Sequence, residues 1–309
     1  MKVLVGVDGS SNSFAAVAFV GRLISPDRDE LTLFFATPAM TFDDERMDVA
    51  VEERARTALS RAVLEAALER LPPEWRAKAK QNEVPGPPGP SLLTAATEYG
   101  AEVIAVGFRG TSSIIEQFML GSVSRAVLKS AKVPVLVVKG EGEAVSQAGA
   151  APHASGLRLL VAYDPVDRAE PIANVLKRFT FSVDAQGHVM SVVRPMYLAD
   201  LPDWVQNQPR EPDVAAMAEE GKKEHDQNLS TARGELERFR ELLPTCFARG
   251  QAIVAEGRPA EQIVAKTREL GIDLVVLGSA RGGRLERFFI GSTSEQVLAS
   301  ADCSVLVTQ

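Results

Sequence analysis

Cysteine is nearly missing from this 309-residue chain: Cys246 and Cys303 stand alone, and neither belongs to a CxxC. That excludes a disulfide framework and a zinc signature. Histidine is almost as scarce. His153, His188 and His225 lie far apart in sequence, which argues against a histidine-rich metal centre. No apolar run approaches the ~18–20 residues that a membrane-spanning helix needs. Positive charge is in the minority, with 34 Lys and Arg against 41 Asp and Glu and a net charge of −7. Such a chain is a poor general binder of nucleic acid or of an anionic membrane, because phosphate affinity comes mainly from basic charge. The start, Met1-Lys2-Val3-Leu4-Val5-Gly6-Val7-Asp8, holds one lysine and no long apolar region. It reads as a strand rather than a signal peptide, so the expected location is cytoplasmic. Three catalytic or phosphate-binding signatures are also missing. There is no GxxxxGK[ST], no GxGxxG after the first strand and no GxSxG. A P-loop kinase, a dinucleotide fingerprint and a nucleophile-elbow hydrolase therefore go unsupported.

What is present is a duplication. Residues 121–138 read GSVSRAVLKSAKVPVLVV and residues 291–308 read GSTSEQVLASADCSVLVT, identical at ten of eighteen positions. The segments before them match in kind, Glu102–Gly107 against Asp273–Gly278. So do the two starts, Val3–Asp8 against Leu159–Asp164. So long a period means two copies of a domain, not a solenoid. Length agrees, at about 150 residues per domain. Residues 139–156, KGEGEAVSQAGAAPHASG, are rich in Gly, Ala and Ser without apolar periodicity, which is linker chemistry. The expected division is a first domain 1–140, a linker 141–156 and a second domain 157–309.

Each half alternates strand and helix. In the first, short apolar runs predict strands at 2–7, 31–36, 102–107 and 133–138, with a weaker one near 76–84. Helices are expected at 12–22, 44–70, 91–99 and 122–130. Met47, Val51, Ala55, Ala58, Ala62 and Ala66 give the long one its stripe, and Pro72-Pro73 ends it. The second half places strands near 158–163, 187–193, 250–255, 272–278 and 303–308. Its long helix lies within 213–242, with Leu229, Ala232, Leu236 and Phe239 on one face. This alternation predicts α/β domains with parallel sheets covered by helices on both faces.

In open parallel sheets, ligands lie beyond the carboxyl ends of the strands, where strand order reverses. There the sequence offers Asp8 and Asp164 after the first strands. After the fourth strands it offers Gly107-Phe108-Arg109-Gly110 and Gly278-Ser279-Ala280-Arg281-Gly282-Gly283. The next helices open with Gly121-Ser122-Val123-Ser124 and Gly291-Ser292-Thr293-Ser294. A helix N-terminus presents unpaired N–H groups and partial positive charge, glycine lets an anion approach, and hydroxyls add donors. An aspartate at a strand tip suits ribose hydroxyls or a base amine, not phosphate, since like charges repel. Each element alone has a plainer explanation. A serine before a helix is most often an N-cap, and Asp8 in Asp-Gly-Ser-Ser suits a turn. The ligand reading gains because all three elements occur together, in the same order, twice.

These residues resemble the universal stress protein family in its tandem form. The most specific segments are VLVGVDGSSNS and those ending LGSVSRAVLKSAKVPVLVV and IGSTSEQVLASADCSVLVT. The family motif is G-x2-G-x9-G-[ST] between strand four and the last helix. The resemblance implies two tandem Rossmann-like (adenine nucleotide alpha hydrolase-like) domains, each a five-stranded parallel sheet of order 3-2-1-4-5. It also implies adenine-nucleotide binding in members that keep the motif, with ATP, accompanied or not by Mg2+, as the expected ligand. In those members the strand-one aspartate and backbone near the end of strand two hold the adenosine, which here means Asp8 and Ala36, then Asp164 and Val192. The glycine loop and helix start hold ribose and phosphates. Those correspond to Gly107, Arg109, Gly110, Gly121, Ser122, Val123 and Ser124, then to Gly278, Arg281, Gly282, Gly291, Ser292, Thr293 and Ser294. Both copies depart from the motif. Ten residues separate Gly110 from Gly121, one more than the family spacing. In the second copy Arg281 stands at the inner glycine, where with Arg284 and Arg287 it makes the loop locally positive.

The leading expectation is a nucleotide-binding stress-response or signalling module with at most slow ATP hydrolysis, because no general base or nucleophile accompanies the phosphate cradle. The alternative is a stress protein that binds no nucleotide and acts by dimerisation or partner binding. A third is an enzyme of a related nucleotide-binding class, with 40–46 and 194–212 over a substrate pocket. Tyr197 and Trp204 there suit loop anchoring better than base stacking. In the family the fifth strands commonly pair in dimers. The last strand of each half is accordingly expected to pair with the other as an internal pseudo-dimer, with a further homodimer as a possible assembly. Cys303 then reads as a small buried apolar residue, not a redox centre.

Overall fold

The computed structural model describes residues 1–37, 49–109, 120–140, 156–164, 169–194, 212–278 and 291–308. The first half runs β1 (Lys2–Val7), α1 (Ser11–Leu23), β2 (Glu30–Thr37), α2 (Val49–Leu68), α3 (Pro73–Arg76), β3 (Lys80–Pro85), α4 (Pro88–Glu98), β4 (Val103–Gly107), α5 (Ser122–Ser130) and β5 (Val135–Val138). The second runs β6 (Arg158–Ala162), α6 (Ala169–Arg178), β7 (Gln186–Val193), α7 (Pro212–Glu241), β8 (Ala252–Glu256), α8 (Pro259–Leu270), β9 (Leu274–Leu277), α9 (Ser292–Ser300) and β10 (Ser304–Val307). A 3-10 turn at Thr245–Arg249 precedes β8. The α/β expectation holds, and α6 and α8 supply further crossovers in the second half.

The strands join one ten-stranded sheet of order β3-β2-β1-β4-β5-β10-β9-β6-β7-β8. All neighbours are parallel except β5 and β10, which run antiparallel with Val137 opposite Val305 and Leu136 opposite Leu306. Strand alternation sends successive side chains to opposite faces. Val3, Val5 and Val7 join α1, α2, α6 and α7 on one face, while Leu4 and Ile104 join α4, α5, α8 and α9 on the other. Both cores run across the seam. Leu136 and Leu306 lie in the first, and Val135, Val137, Val305 and Val307 in the second.

Away from β5 and β10 the halves also meet at the opposite end of the strands. Arg28 donates to the Arg178 carbonyl (2.6 Å) and the Thr180 hydroxyl (3.0 Å), and the Thr180 N–H donates to the Leu23 carbonyl (2.7 Å). Arg178 pairs with Glu102 at 2.5 Å and holds that carboxyl below its ordinary pKa. The pair is partly exposed, so it adds specificity more than energy.

The boundary at the paired prolines differs in kind from the sequence reading. Pro72-Pro73 follows a helix that ends at Leu68, but Pro73 also opens a new short one, α3. Proline at a helix's first position lacks only an N–H that would go unpaired anyway. The turn carries Trp75 into the core, 1% exposed. The predicted linker 141–156, apart from Gly156, lies outside the described residues, as do residues 44–48 of the predicted long helix. Both cysteines are buried, and burial pushes the Cys246 thiol up to about 11 and the Cys303 thiol to about 12.

His188 on β7 is buried, and its Nδ1 accepts the Gln251 N–H at 3.1 Å. Burial first, and the Arg158 charge second, push its pKa below the ordinary 6.5. The unfolded chain therefore takes up this proton at a higher pH than the folded one. Stability is full above about pH 6.5 and is lost as pH falls from there toward the folded value. Urea midpoints at about pH 7.5 and 5.5 should differ more for the natural chain than for His188→Gln. Equal differences would remove this account.

Candidate functional site

The strand order reverses between β1 and β4 in the first half and between β6 and β9 in the second. At the carboxyl end of β1, Asp8 begins the loop into α1. Its Oδ1 accepts the Ser10 N–H (3.0 Å) and the Ser10 hydroxyl (2.6 Å). Ser10 caps α1 by accepting the Ser13 N–H (3.2 Å), and its hydroxyl lies 3.2 Å from the Arg109 carbonyl. The plain turn-and-cap reading of Asp-Gly-Ser-Ser is thus realised. The same contacts also bring Asp8 beside the end of β4. Gly9 makes the turn at φ 83°, a conformation that glycine adopts without penalty.

Gly107 ends β4 against the first turn of α1, so close that a Cβ there would lie 2.7 Å from Asn12 C and 2.8 Å from Ser13 N. Phe108 is buried beyond it. Its N–H donates to the Val138 carbonyl (2.7 Å), and its carbonyl accepts the Gly121 N–H (2.9 Å). The guanidinium carbon of Arg109 stands 5.4 Å from the Phe108 ring.

Both late helices start on glycine, Gly121 for α5 and Gly291 for α9, so the N-cap residue has no side-chain acceptor for the first N–H groups. The two Gly-Ser-x-Ser segments then sort identically. Ser122 and Ser292 are exposed, Val123 and Thr293 half-buried, Ser124 and Ser294 buried. The Ser124 hydroxyl donates to the Gly107 carbonyl at 2.6 Å, and the Ser294 hydroxyl to the Gly278 carbonyl at 3.4 Å. The second serine of each segment is therefore a clamp between strand end and helix start. The first serine faces outward.

The second half builds its strand-one corner differently. Asp164 is exposed. Tyr163 before it stacks on Phe239 of α7, with centroids 4.0 Å apart and planes 8° from parallel. Two residues beyond Asp164 stands Val166, where the first half has the capping Ser10. Ala36 is buried near the end of β2, and Val192 is half-buried in the matching place on β7. Gly110, Arg281, Gly282 and Gly283 lie outside the described residues, as do Tyr197 and Trp204.

The sequence reading missed one paired feature. Gly86 and Gly257 follow β3 and β8 at φ 141° and 133°, and each N–H donates at 3.1 Å to the neighbouring strand's end, Thr37 or Val193. The signal was a glycine two residues before Pro88 and Pro259 in both copies. Among the described residues no cluster of three His, Cys, Asp or Glu side chains could hold a metal, and no helix is long and apolar enough to cross a membrane.

Comparison with known proteins agrees with this architecture. The model of the universal stress protein family matches residues 1–139 and again 157–309. The Mycobacterium tuberculosis universal stress protein Rv2005c is 24% identical over 318 residues, spanning 99% of this chain and 96% of its own. A universal stress protein of Thermus aquaticus, from the QAH/OAS sulfhydrylase 3′ region, is 30% identical over 49% of this chain and 97% of its own length. The crystal structure of a universal stress protein from Archaeoglobus fulgidus DSM 4304 aligns with a TM-score of 0.61 at 22% identity, covering 100% of this chain and 98% of its own. The chain belongs to the universal stress protein family, with two family domains in one polypeptide.

Proposed function

We propose that each half binds an adenine nucleotide, ATP in the first instance, and that the chain works as a stress-response or signalling module with at most slow hydrolysis. The observation that carries this is the doubled helix start. Gly121 and Gly291 leave the first N–H groups of α5 and α9 without a side-chain cap, beside an exposed serine and a strand end clamped by a buried one. Such a terminus suits phosphate. In the first half Asp8 and the backbone near Ala36 take the adenosine. Gly107, Arg109, Gly110, Gly121, Ser122 and Val123 face ribose and phosphates, and Ser124 holds the scaffold. In the second half Asp164, Val192, Gly278, Arg281, Gly282, Gly291, Ser292, Thr293 and Ser294 have these parts. Any Mg2+ is held mainly by the phosphates themselves.

The sites are unequal, because Asp8 is braced by a capping serine that also reaches the β4 end, whereas Val166 stands in that serine's place in the second half. The test is calorimetric titration of ATP into the full chain stripped of nucleotide. Asp8→Ala should weaken the first site about tenfold or more, the usual cost of losing a hydrogen bond to a charged group, and leave the second unchanged. No binding at millimolar ATP would sink the reading.

A second reading draws on the seam. The pairing of β5 with β10 supports an internal pseudo-dimer, and on this reading the module acts through partner contacts without nucleotide. Intact partner function in a chain that takes up no ATP would favour it.

A further inference from the structure

Lys139 follows directly on β5 and lies where the halves meet. Its ammonium stands 4.2 Å from the centroid of the Phe108 ring and donates to the carbonyl of Ala301. Phe108 is pinned at the other end of its backbone to Gly121, where α5 begins. Ala301 is the residue that ends α9. A helix C-terminus carries partial negative charge and favours a cation. One ammonium therefore touches the loop after β4 in the first half and the end of a helix in the second, and that helix begins at Gly291-Ser292.

Three further observations bear on it. Arg109 sits over the same ring, so two cations converge on one aromatic side chain. Burial is the main cause that lowers the Lys139 pKa, with Arg109 adding to it and Cys303 and Asp302 opposing. The duplication provides no second copy of the device, since Ser279 stands in the place of Phe108 and Gln309 in that of Lys139.

We propose that Lys139 is a positioning residue that latches the first half's ligand loop to α9 and so couples the first site to the second through a contact that exists in one copy. An anion beside Arg109 offsets the repulsion that Arg109 exerts on Lys139. The ammonium then stays close against the Phe108 ring, and its hydrogen bond to Ala301 steadies the end of α9. Coupling of this kind is reciprocal in binding free energy, so order at α9 returns as affinity in the first half. The ligand part rests on the nucleotide reading above; the latch itself does not.

Hydrogen exchange on the full chain tests both parts. Lys139→Met keeps the aliphatic length and removes the charge, and Lys139→Arg keeps the charge. Without ligand, the amides of Val297–Ala301 should exchange about tenfold faster in Lys139→Met, remain near natural in Lys139→Arg, and not change in α4. Unchanged exchange at the end of α9 in Lys139→Met overturns the latch. With ATP added at a concentration that fills the natural first site but not the weakened site of Asp8→Ala, exchange there should slow in the natural chain, and the slowing should vanish in both Lys139→Met and Asp8→Ala. If Asp8→Ala keeps the slowing, the effect starts in the second site and the coupling is wrong. If the natural chain takes up no ATP, the nucleotide reading fails, and the latch is decided by the ligand-free comparison alone.

Discussion

Val137→Lys should lower the unfolding free energy by on the order of 4 kcal/mol, the cost of placing an unpaired charge in a packed core. Val137 is fully buried and lies opposite Val305 in the antiparallel pair that joins the halves. Its face of the sheet is lined by Val135, Val305 and Val307, so a lysine there meets only apolar neighbours from both halves. Val307→Lys, which faces Val135 across the same seam, should act alike. The two losses should not add fully, because once one charge opens the seam the second has less to break. Val183→Lys is the control, since Val183 is 80% exposed and should shift stability by less than about 0.5 kcal/mol. Urea unfolding followed by circular dichroism reads all three. The seam variants should also lose the single transition and show the halves melting apart, because the contacts left between them, such as Arg178–Glu102, are partly exposed and weak. Natural-like stability in Val137→Lys would show that the cores do not run through this pairing.

The parts of the fold legible in the sequence are those where local pattern and tertiary demand coincide. A strand buried on both faces must be apolar throughout, and β1, β4 and β9 read so. The start of α5 at Ser122 was legible because a Gly-Ser pair before a helical stripe has few other uses. What was hidden depends on partners remote in sequence. The Tyr163–Phe239 stack joins residues that no spacing relates. The division of labour between Ser122 and Ser124 follows from helix geometry against the end of β4, where only the third residue of the helix reaches the Gly107 carbonyl. Proline read as a stop hid α3, because Pro72-Pro73 marks a boundary without saying that a turn of helix resumes on its far side. In the site itself, the aspartates and helix starts were visible as residue types in order. The bracing of Asp8 by Ser10 was not, since a capping serine and a ligand-facing serine look alike in a sequence.

Gly107→Ala should cost about 2–3 kcal/mol and abolish most of the nucleotide affinity proposed for the first half while sparing that proposed for the second. The new methyl would lie 2.7 Å from Asn12 C, 2.8 Å from Ser13 N and 2.9 Å from Asn12 Cβ, and two of these are backbone atoms that cannot swing aside. Relief requires moving the first turn of α1 away from the end of β4. That turn carries the Ser10 cap and the Ser13 hydroxyl, which lies 3.3 Å from the Asp8 N–H, so Asp8 shifts with it. The Ser124 clamp is anchored on the carbonyl of Gly107 itself, so the start of α5 is disturbed from the other side. A single methyl thus reaches both the adenosine and the phosphate ends of the proposed site. Gly234→Ala in α7 is the control, since nothing lies within 4 Å of its added methyl, and alanine in a helix interior should stabilise by roughly 0.5–1 kcal/mol. Titration should be done at a temperature where Gly107→Ala remains folded by circular dichroism, so that lost affinity is not lost protein. If the folded variant and the natural chain take up ATP alike, the approach of α1 to β4 does not shape the proposed site, and the placement of Asp8 beside Gly107 has no part in binding.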